Sequence, residues 1–144
     1  MNRNRILIVD DDKEFADGIA ARCRDLGLVV ETARNSLTAI GIIAVRSPDL
    51  ICMDVEMPTG NGLSVCEFLA SDPAAASKPI IILTGRTDKG TIRRCHELHA
   101  YYVHKSPQVW QSLRPVICEL LDFHPNETES SDAESPDLAR TVQW

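Results

Sequence analysis

Residues that can do chemistry stand at or just after the ends of four short apolar runs, and they are Asp10, Asp11, Asp54, Thr84 and Lys105. Carboxylates that lie close together repel one another, so a fold tolerates such a cluster only where a cation or a lysine neutralises it. A few oxygen ligands that leave room for water and phosphate suit Mg²⁺ better than zinc. A carboxylate in this setting can also attack phosphorus and form an acyl phosphate. If the fold brings these residues together, their types predict a magnesium-assisted site of phosphoryl transfer.

Each group has a separate task in the predicted reaction. Asp54 is the best candidate for the nucleophile because it stands alone after the third apolar run. The cation and Lys105 would neutralise charge on the phosphoryl oxygens, and the Thr84 hydroxyl can hydrogen-bond a transferred oxygen. Glu56 and Arg86 flank the predicted pocket from two loops. We hypothesise that these two residues pair across the pocket and set the lifetime of the acyl phosphate.

The apolar runs alternate with longer stretches of helical periodicity, which predicts strands separated by crossover helices. The strand runs are almost continuously apolar, as in a parallel sheet that helices cover on both faces. The fold class is therefore α/β, a flavodoxin-like doubly wound five-stranded parallel sheet of order 2-1-3-4-5 with five helices. The predicted strands are 6–9, 28–33, 50–53, 79–84 and 101–104, and the predicted helices are 12–26, 36–45, 63–69, a segment from 87 or 88 to 98, and 109–123. In such a sheet the carboxyl ends of the strands line the ligand crevice, which would bring the reactive residues together.

Local signals refine three of these elements. Ser36 is predicted to cap the second helix through its hydroxyl. Met57 to Gly62 is rich in turn-forming residues and predicts a loop after the third strand. Pro115 falls inside the last helix, where it should remove one backbone hydrogen bond and bend the axis.

Composition excludes several classes of function. The chain has 144 residues and a formal net charge of -6, with 21 acidic residues against 15 basic ones, which fits one compact domain and argues against direct nucleic-acid binding. No apolar run approaches the roughly 20 residues of a membrane-spanning helix, and the N-terminal segment lacks the apolar stretch of a signal peptide. Five cysteines without a C-x-x-C motif predict neither a disulfide framework nor a zinc site. We expect a cytoplasmic protein with no membrane contact.

The composition changes after residue 123. Residues 1–123 are predicted to form the domain, and residues 124–144 an acidic linker or tail with almost no apolar residue before Ser135. Ser135, Pro136 and Asp137 carry the signals of a helix start, so 135–144 predicts either a short docking helix or the beginning of an output domain.

Four motifs, ILIVDDD, PDLICMDVEMPTGNGL, KPIIILTG and YYVHKS, occur in an order that resembles the receiver domains of two-component response regulators, including the single-domain chemotaxis receiver. The resemblance covers residues 5 to about 123. It implies that Asp54 is the phosphoacceptor and Thr84 the switch hydroxyl, that Lys105 is the family's lysine, and that Tyr102 is the aromatic that swings inward with Thr84. The implied ligands of Mg²⁺ are Asp11, Asp54 and the backbone carbonyl of Glu56, with Asp10 acting through water.

The resemblance also implies a function and partners. A sensor histidine kinase or a histidine phosphotransfer protein would phosphorylate the domain, which would switch an interaction face on the fourth helix, fifth strand and fifth helix. Apart from its own phosphorylation and self-dephosphorylation the domain would not be an enzyme. A C-terminal output domain, a separate effector protein and a homodimer formed on phosphorylation are the open choices for its output.

Two positions depart from the family pattern. The family usually has proline directly after the lysine, whereas here Ser106 stands before Pro107. Pro115 lies in the helix that commonly contributes to dimer contacts.

Two other functions compete with this one. A phosphatase of the haloacid dehalogenase type also uses strand-end carboxylates with Mg²⁺, but its nucleophile lies in a D-x-D motif on the first strand. A degenerate receiver that serves only as a scaffold would lack an acid, the threonine or the lysine, and none of these is missing here.

Overall fold

A computed structural model describes residues 4–57, 60–72 and 77–124 of the chain. The strands are β1 (Arg5–Val9), β2 (Val29–Ala33), β3 (Leu50–Met53), β4 (Glu56–Met57), β5 (Gly60–Asn61), β6 (Ile80–Thr84) and β7 (Tyr101–His104). The helices are α1 (Lys13–Asp25), α2 (Ser36–Arg46), α3 (Gly62–Ala70), α4 (Lys89–Glu97) and α5 (Val109–Leu121). The predicted alternation of strands and helices is confirmed.

The main sheet has five parallel strands in the order β2-β1-β3-β6-β7. Among the described residues, strands β4 and β5 pair only with each other and form a separate antiparallel hairpin, in which the backbone of Glu56 pairs with that of Asn61. Strands β6 and β7 are therefore the fourth and fifth of the main sheet, and the predicted order 2-1-3-4-5 is confirmed. The hairpin replaces part of the loop that we predicted from Met57 to Gly62, because two-residue strands leave no hydrophobic period to detect.

The sheet separates two apolar layers. Side chains of successive strand residues point to opposite faces, so Ile6 and Ile8 belong to the layer under α1 and α5, whereas Leu7 and Val9 belong to the layer under α2, α3 and α4. All four side chains are at most 1% exposed. Burial of both faces explains why the strands read as continuous apolar runs, and it holds the strand ends at one fixed edge.

Side-chain caps fix the starts of three helices. Asp12 caps α1 and Asp88 caps α4, each by accepting a hydrogen bond from a backbone amide of the first turn. The prediction that Ser36 caps α2 is wrong. Asn35 has the extended backbone of a cap and accepts from the amide of Thr38 at 2.8 Å, while Ser36 is already helical. Both residue types cap helices well, and the choice depends on where the backbone turns after β2.

The structure describes the backbone at both positions that depart from the family pattern, Ser106 and Pro115. No peptide bond among the described residues is cis, so the Lys105–Ser106 bond is trans. Helix α5 runs without interruption through Pro115 to Leu121. The predicted tail at 124–144 lies, apart from His124, outside the described residues. Within the part of the chain that the structure describes, no helix is long and apolar enough to cross a bilayer.

Candidate functional site

Three carboxylates meet at the carboxyl edge of the sheet. Asp10 and Asp11 follow β1, Asp54 follows the neighbouring strand β3, and the amide of Asp54 donates to the carbonyl of Val9 at 3.1 Å. Since the two strands end at the same edge, one carboxylate oxygen from each acid lies within 4.8 Å of the others. Asp10 is 2% exposed and Asp54 is 8% exposed, while Asp11 is exposed. Such an oxygen cluster, open on one side, fits a hard divalent cation such as Mg²⁺.

Lys105 reaches the same carboxylates from β7. Its amide donates to the carbonyl of Thr84 at 2.8 Å, which continues the pairing of β6 with β7 beyond the strand ends. Its ammonium Nζ donates to Oδ2 of Asp10 at 2.7 Å and to Oδ2 of Asp54 at 3.2 Å. The sequence prediction that these residues converge is therefore confirmed by the geometry, and one ammonium bridges two of the three acids.

The charges of the site are only partly compensated. Burial raises the pKa of Asp10 above its usual 3.8, although hydrogen bonds from Lys105 and from the Asp12 amide oppose the shift. Burial would lower the pKa of Lys105, but the hydrogen bond to Asp10 and the charge of Asp54 outweigh it and raise the pKa. Lys105 is thus held protonated, while Asp10 keeps its proton more firmly than an exposed carboxyl does. Further positive charge would be stabilised here.

Thr84 and Tyr102 are connected through the backbone of Arg86. Thr84 ends β6 and is 1% exposed, and its Oγ1 accepts from the Arg86 amide at 3.2 Å. Tyr102 is 3% exposed on β7, and its hydroxyl donates to the Arg86 carbonyl at 2.5 Å. Burial also raises the pKa of Tyr102. The ring therefore points inward, and a movement of either hydroxyl changes a hydrogen bond of the same loop residue.

Glu56 and Arg86 form an ion pair next to Asp54, as the sequence suggested. Arg86 Nη1 lies 3.3 Å from Glu56 Oε2, and its Nε lies 3.0 Å from Oδ1 of Asp88. The amide of Glu56 also donates to Oδ1 of Asp54 at 3.3 Å. The side chains of Arg86 and Glu56 are 45% and 66% exposed, so the pair itself adds little stability.

Two residues of the site were missed from the sequence. The Phe15 ring lies under the ammonium of Lys105, with 4.3 Å between Nζ and the ring centroid. Gly62 packs so closely on the backbone of Asp54 that a Cβ there would come within 3.0 Å of the Asp54 carbonyl carbon. A first-turn position in the helix after β1 was the only available signal for Phe15, and a glycine in a turn-rich segment was the only one for Gly62.

Comparison with known proteins decides the family. A family model described as the response regulator receiver domain matches residues 6–111 of the chain. The chain belongs to the response regulator receiver domain family. Receiver domains are signalling modules of two-component systems, so the resemblance inferred from the four motifs is confirmed.

Curated relatives of this receiver domain are bacterial response regulators. Response regulator MprA of Mycobacterium sp. (strain KMS) is 38% identical over 82 residues, which are 57% of this chain and 35% of MprA. DNA-binding response regulator MtrA of Mycobacterium tuberculosis (strain H37Rv) is 34% identical over 86 residues, 60% of this chain and 36% of MtrA. The matched segments thus span only about a third of the length of these relatives.

Solved structures agree with the fold. The signal receiver domain of a DNA-binding response regulator from Colwellia psychrerythraea 34H is 30% identical, with a TM-score of 0.77 over 83% of this chain and 98% of that chain. Chemotaxis response regulator CheY4 of Vibrio cholerae is 22% identical and has a TM-score of 0.75 over 83% of this receiver domain and 99% of CheY4. The second comparison supports the fold alone.

Proposed function

We propose that the receiver domain accepts a phosphoryl group on Asp54 and that the acyl phosphate switches a protein-interaction face. The bridge of Lys105 between Asp10 and Asp54, at 2.7 and 3.2 Å, carries this proposal. It holds a cation beside the carboxylate that would attack, at an edge of the sheet that is open to a phosphodonor. Three separate segments approach Asp54: the Lys105 ammonium and the Glu56 amide contact its carboxylate, and Gly62 packs on its backbone carbonyl.

The acids also fit Mg²⁺. Asp11, Asp54 and the backbone carbonyl of Glu56 would hold the ion directly, and Asp10 would hold it through water. When bound, Mg²⁺ supplies positive charge to the phosphoryl oxygens and lowers the repulsion between the carboxylates. The support for this cofactor is the oxygen-only donor set, since one carboxylate oxygen each of Asp10, Asp11 and Asp54 lies within 4.8 Å of the others.

The transfer reaction follows from the residues present. A carboxylate oxygen of Asp54 attacks the phosphorus of a phosphohistidine on the donor protein, and a new P–O bond forms as the P–N bond breaks. The bonding pair stays with the imidazole nitrogen, which takes up a proton. Lys105 stabilises the negative oxygens throughout, because its pKa is raised and it remains charged. The protein catalyses only its own phosphorylation and self-dephosphorylation.

Thr84 and Tyr102 would carry the switch. A Thr84 hydroxyl that turns toward the phosphoryl group must change its contact with the Arg86 amide, and the Tyr102 hydroxyl holds the carbonyl of that residue. Phosphorylation would favour one arrangement of the loop before α4 and so reshape the face formed by α4, β7 and α5.

Glu56 and Arg86 would set the lifetime of the acyl phosphate, since their side chains pair with each other and the Glu56 amide contacts the Asp54 carboxylate. Replacing both, as Glu56→Gln with Arg86→Ala, should change the first-order rate of dephosphorylation severalfold, as measured by loss of radiolabelled phosphate. Lys13→Ala is a matched control because it removes an exposed ion pair with Asp17. An unchanged rate in the double variant would contradict this role.

The partners follow from the family. We propose that a sensor histidine kinase or a histidine phosphotransfer protein phosphorylates the domain in the cytoplasm, and that it acts on a C-terminal output domain or an effector protein. Support comes from relatives that are about three times longer than the matched segment and from one relative whose name states that it binds DNA. The domain would end near residue 123, with 124–144 as the linker or tail. Homodimer formation on phosphorylation is one form that the output can take.

One experiment separates the three candidate functions. The chain is incubated with a small acyl phosphate donor and Mg²⁺, and both bound phosphoryl group and free inorganic phosphate are measured. Incorporation approaching one phosphoryl group per chain, lost in Asp54→Asn, supports the switch. Rapid multiple turnover would indicate a phosphatase, and no incorporation would indicate a scaffold.

A further inference from the structure

Phe15 places an aromatic face beside the reactive lysine. It is the third residue of α1 and its amide donates to the capping carboxylate of Asp12 at 3.1 Å, which fixes the first turn of the helix. The ring packs against the apolar layer under α1 and α5. Nζ of Lys105 lies 4.3 Å from the ring centroid, well inside the roughly 6 Å over which a ring attracts a cation.

The ammonium of Lys105 therefore has three neighbours of different kinds. Two are the carboxylates of Asp10 and Asp54, at 2.7 and 3.2 Å, and the third is the face of Phe15. Only 21% of the lysine side chain is exposed, so these neighbours replace most of its water. A lysine has a long flexible stem, and without fixed neighbours its ammonium would sample many positions.

The three neighbours respond differently when a metal ion binds. A cation held by the acids competes with Lys105 for the oxygens of Asp10 and Asp54 and repels its ammonium. A neutral ring is not a metal ligand and keeps its attraction for the ammonium. The contact between the Phe15 ring and the Lys105 ammonium would therefore persist when the carboxylates of Asp10 and Asp54 bind the metal ion and the phosphoryl group.

We propose that Phe15 is a positioning residue that keeps the ammonium of Lys105 in the phosphorylation pocket after the carboxylates have engaged the metal. The inference rests on the proposed function, because it concerns the same site. It differs from simple packing, since leucine or methionine can fill much of the volume of the ring but has no aromatic face for the cation.

Phosphorylation kinetics test the inference on the full chain. With a small acyl phosphate donor at saturating Mg²⁺, Phe15→Leu should lower the phosphorylation rate constant about threefold to tenfold, the range that a partly buried cation–π contact supports. Phe15→Met should behave like Phe15→Leu and serves if the leucine variant does not fold. Phe15→Tyr retains the ring and should stay near the wild-type rate. Trp110→Leu is a matched control and should keep the wild-type rate. It also removes an aromatic ring below a cation, since the guanidinium carbon of Arg22 in α1 lies 5.7 Å from the centroid of the Trp110 ring in α5.

Nuclear magnetic resonance supplies a readout that does not depend on the reaction, namely whether the Lys105 side chain stays over the Phe15 ring when Mg²⁺ binds. The ε-methylene protons of Lys105 should be shifted upfield by the ring in the wild-type chain, with and without Mg²⁺, and should return to ordinary positions in Phe15→Leu. A wild-type rate in Phe15→Leu, or loss of the upfield shift when Mg²⁺ is added to the wild type, would overturn the inference. The proposed function fails in a different way, by the absence of any phosphoryl group on the wild-type chain.

Discussion

Replacing Gly62 by alanine should damage both the stability of the receiver domain and its phosphorylation site. Gly62 begins α3 and its amide donates to the carbonyl of Val55 at 2.9 Å. A Cβ at this position would lie 3.0 Å from the Asp54 carbonyl carbon and 3.1 Å from Cγ of Met53, and closer still to the Asp54 carbonyl oxygen. Carbon atoms normally pack about 3.5 to 4.0 Å apart. Either the start of α3 or the backbone that carries Asp54 must therefore move by about 0.5 to 1 Å or more.

The cost can be estimated from the contacts involved. Forced repacking of a filled core costs about 1–3 kcal/mol, and weakening the hydrogen bond to Val55 costs about 1 kcal/mol. Helix propensity returns less than about 1 kcal/mol at this first helical residue. The free energy of unfolding of Gly62→Ala should therefore fall by about 1–4 kcal/mol.

Urea denaturation with a matched glycine control measures this effect. Gly41 lies exposed on α2 with no atom within 4 Å of an added Cβ, so Gly41→Ala should gain about 0.5–1 kcal/mol. Gly62→Ala should also lose phosphorylation rate, because Asp54 is displaced. The reasoning would be refuted by a Gly62→Ala variant that is as stable as Gly41→Ala and is phosphorylated at the wild-type rate.

Three further outcomes follow from the structure. Asn35→Ala should lower the free energy of unfolding by about 1 kcal/mol, because it removes the cap of α2. Ser36→Ala should leave the free energy of unfolding unchanged or raise it, because Oγ of Ser36 is buried without a hydrogen-bond partner. Destabilisation of both variants in urea melts would contradict this assignment of the cap. Asp10→Asn should be more stable than the wild type at pH 7 without metal, since the folded-state pKa of Asp10 is raised and its ionised form disfavours folding as pH rises through that value. This advantage should shrink as pH falls through the raised folded-state pKa of Asp10 and should be smallest below the usual pKa of 3.8, where Asp10 is protonated in both states. A constant difference across pH would count against burial as the cause.

Much of the fold could be predicted from the sequence because the signals were long and repeated. Strands β1, β3 and β6 are buried on both faces, which leaves continuous apolar runs, and helices α1 and α5 each have a regular apolar face. The β4–β5 hairpin is too short to have a period of its own. The cap of α2 depended on whether Asn35 or Ser36 takes the extended backbone, and two neighbouring residues of similar capping strength do not reveal that choice.

The candidate site likewise contains some contacts that the sequence predicts and others that it does not. The meeting of Asp10, Asp54 and Lys105 was predictable, because strand ends of a parallel sheet share one edge. The contacts of Phe15 and Gly62 depend on side-chain direction and on how closely α3 approaches Asp54, and these are tertiary properties that residue type and spacing do not reveal. Arg86 shows both cases, since its pairing with Glu56 was anticipated whereas its bond to Asp88 was not.

Chemical mapping of the phosphorylated residue tests the central claim most directly. After reaction with a small acyl phosphate donor and Mg²⁺, hydride reduction converts an aspartyl phosphate to a homoserine side chain, which peptide mass spectrometry locates. We predict this conversion at Asp54 and at no other acid, and its loss when Lys105 is replaced by methionine under the same brief exposure. Conversion at Asp10 or Asp11, or no conversion at any residue, would contradict the account.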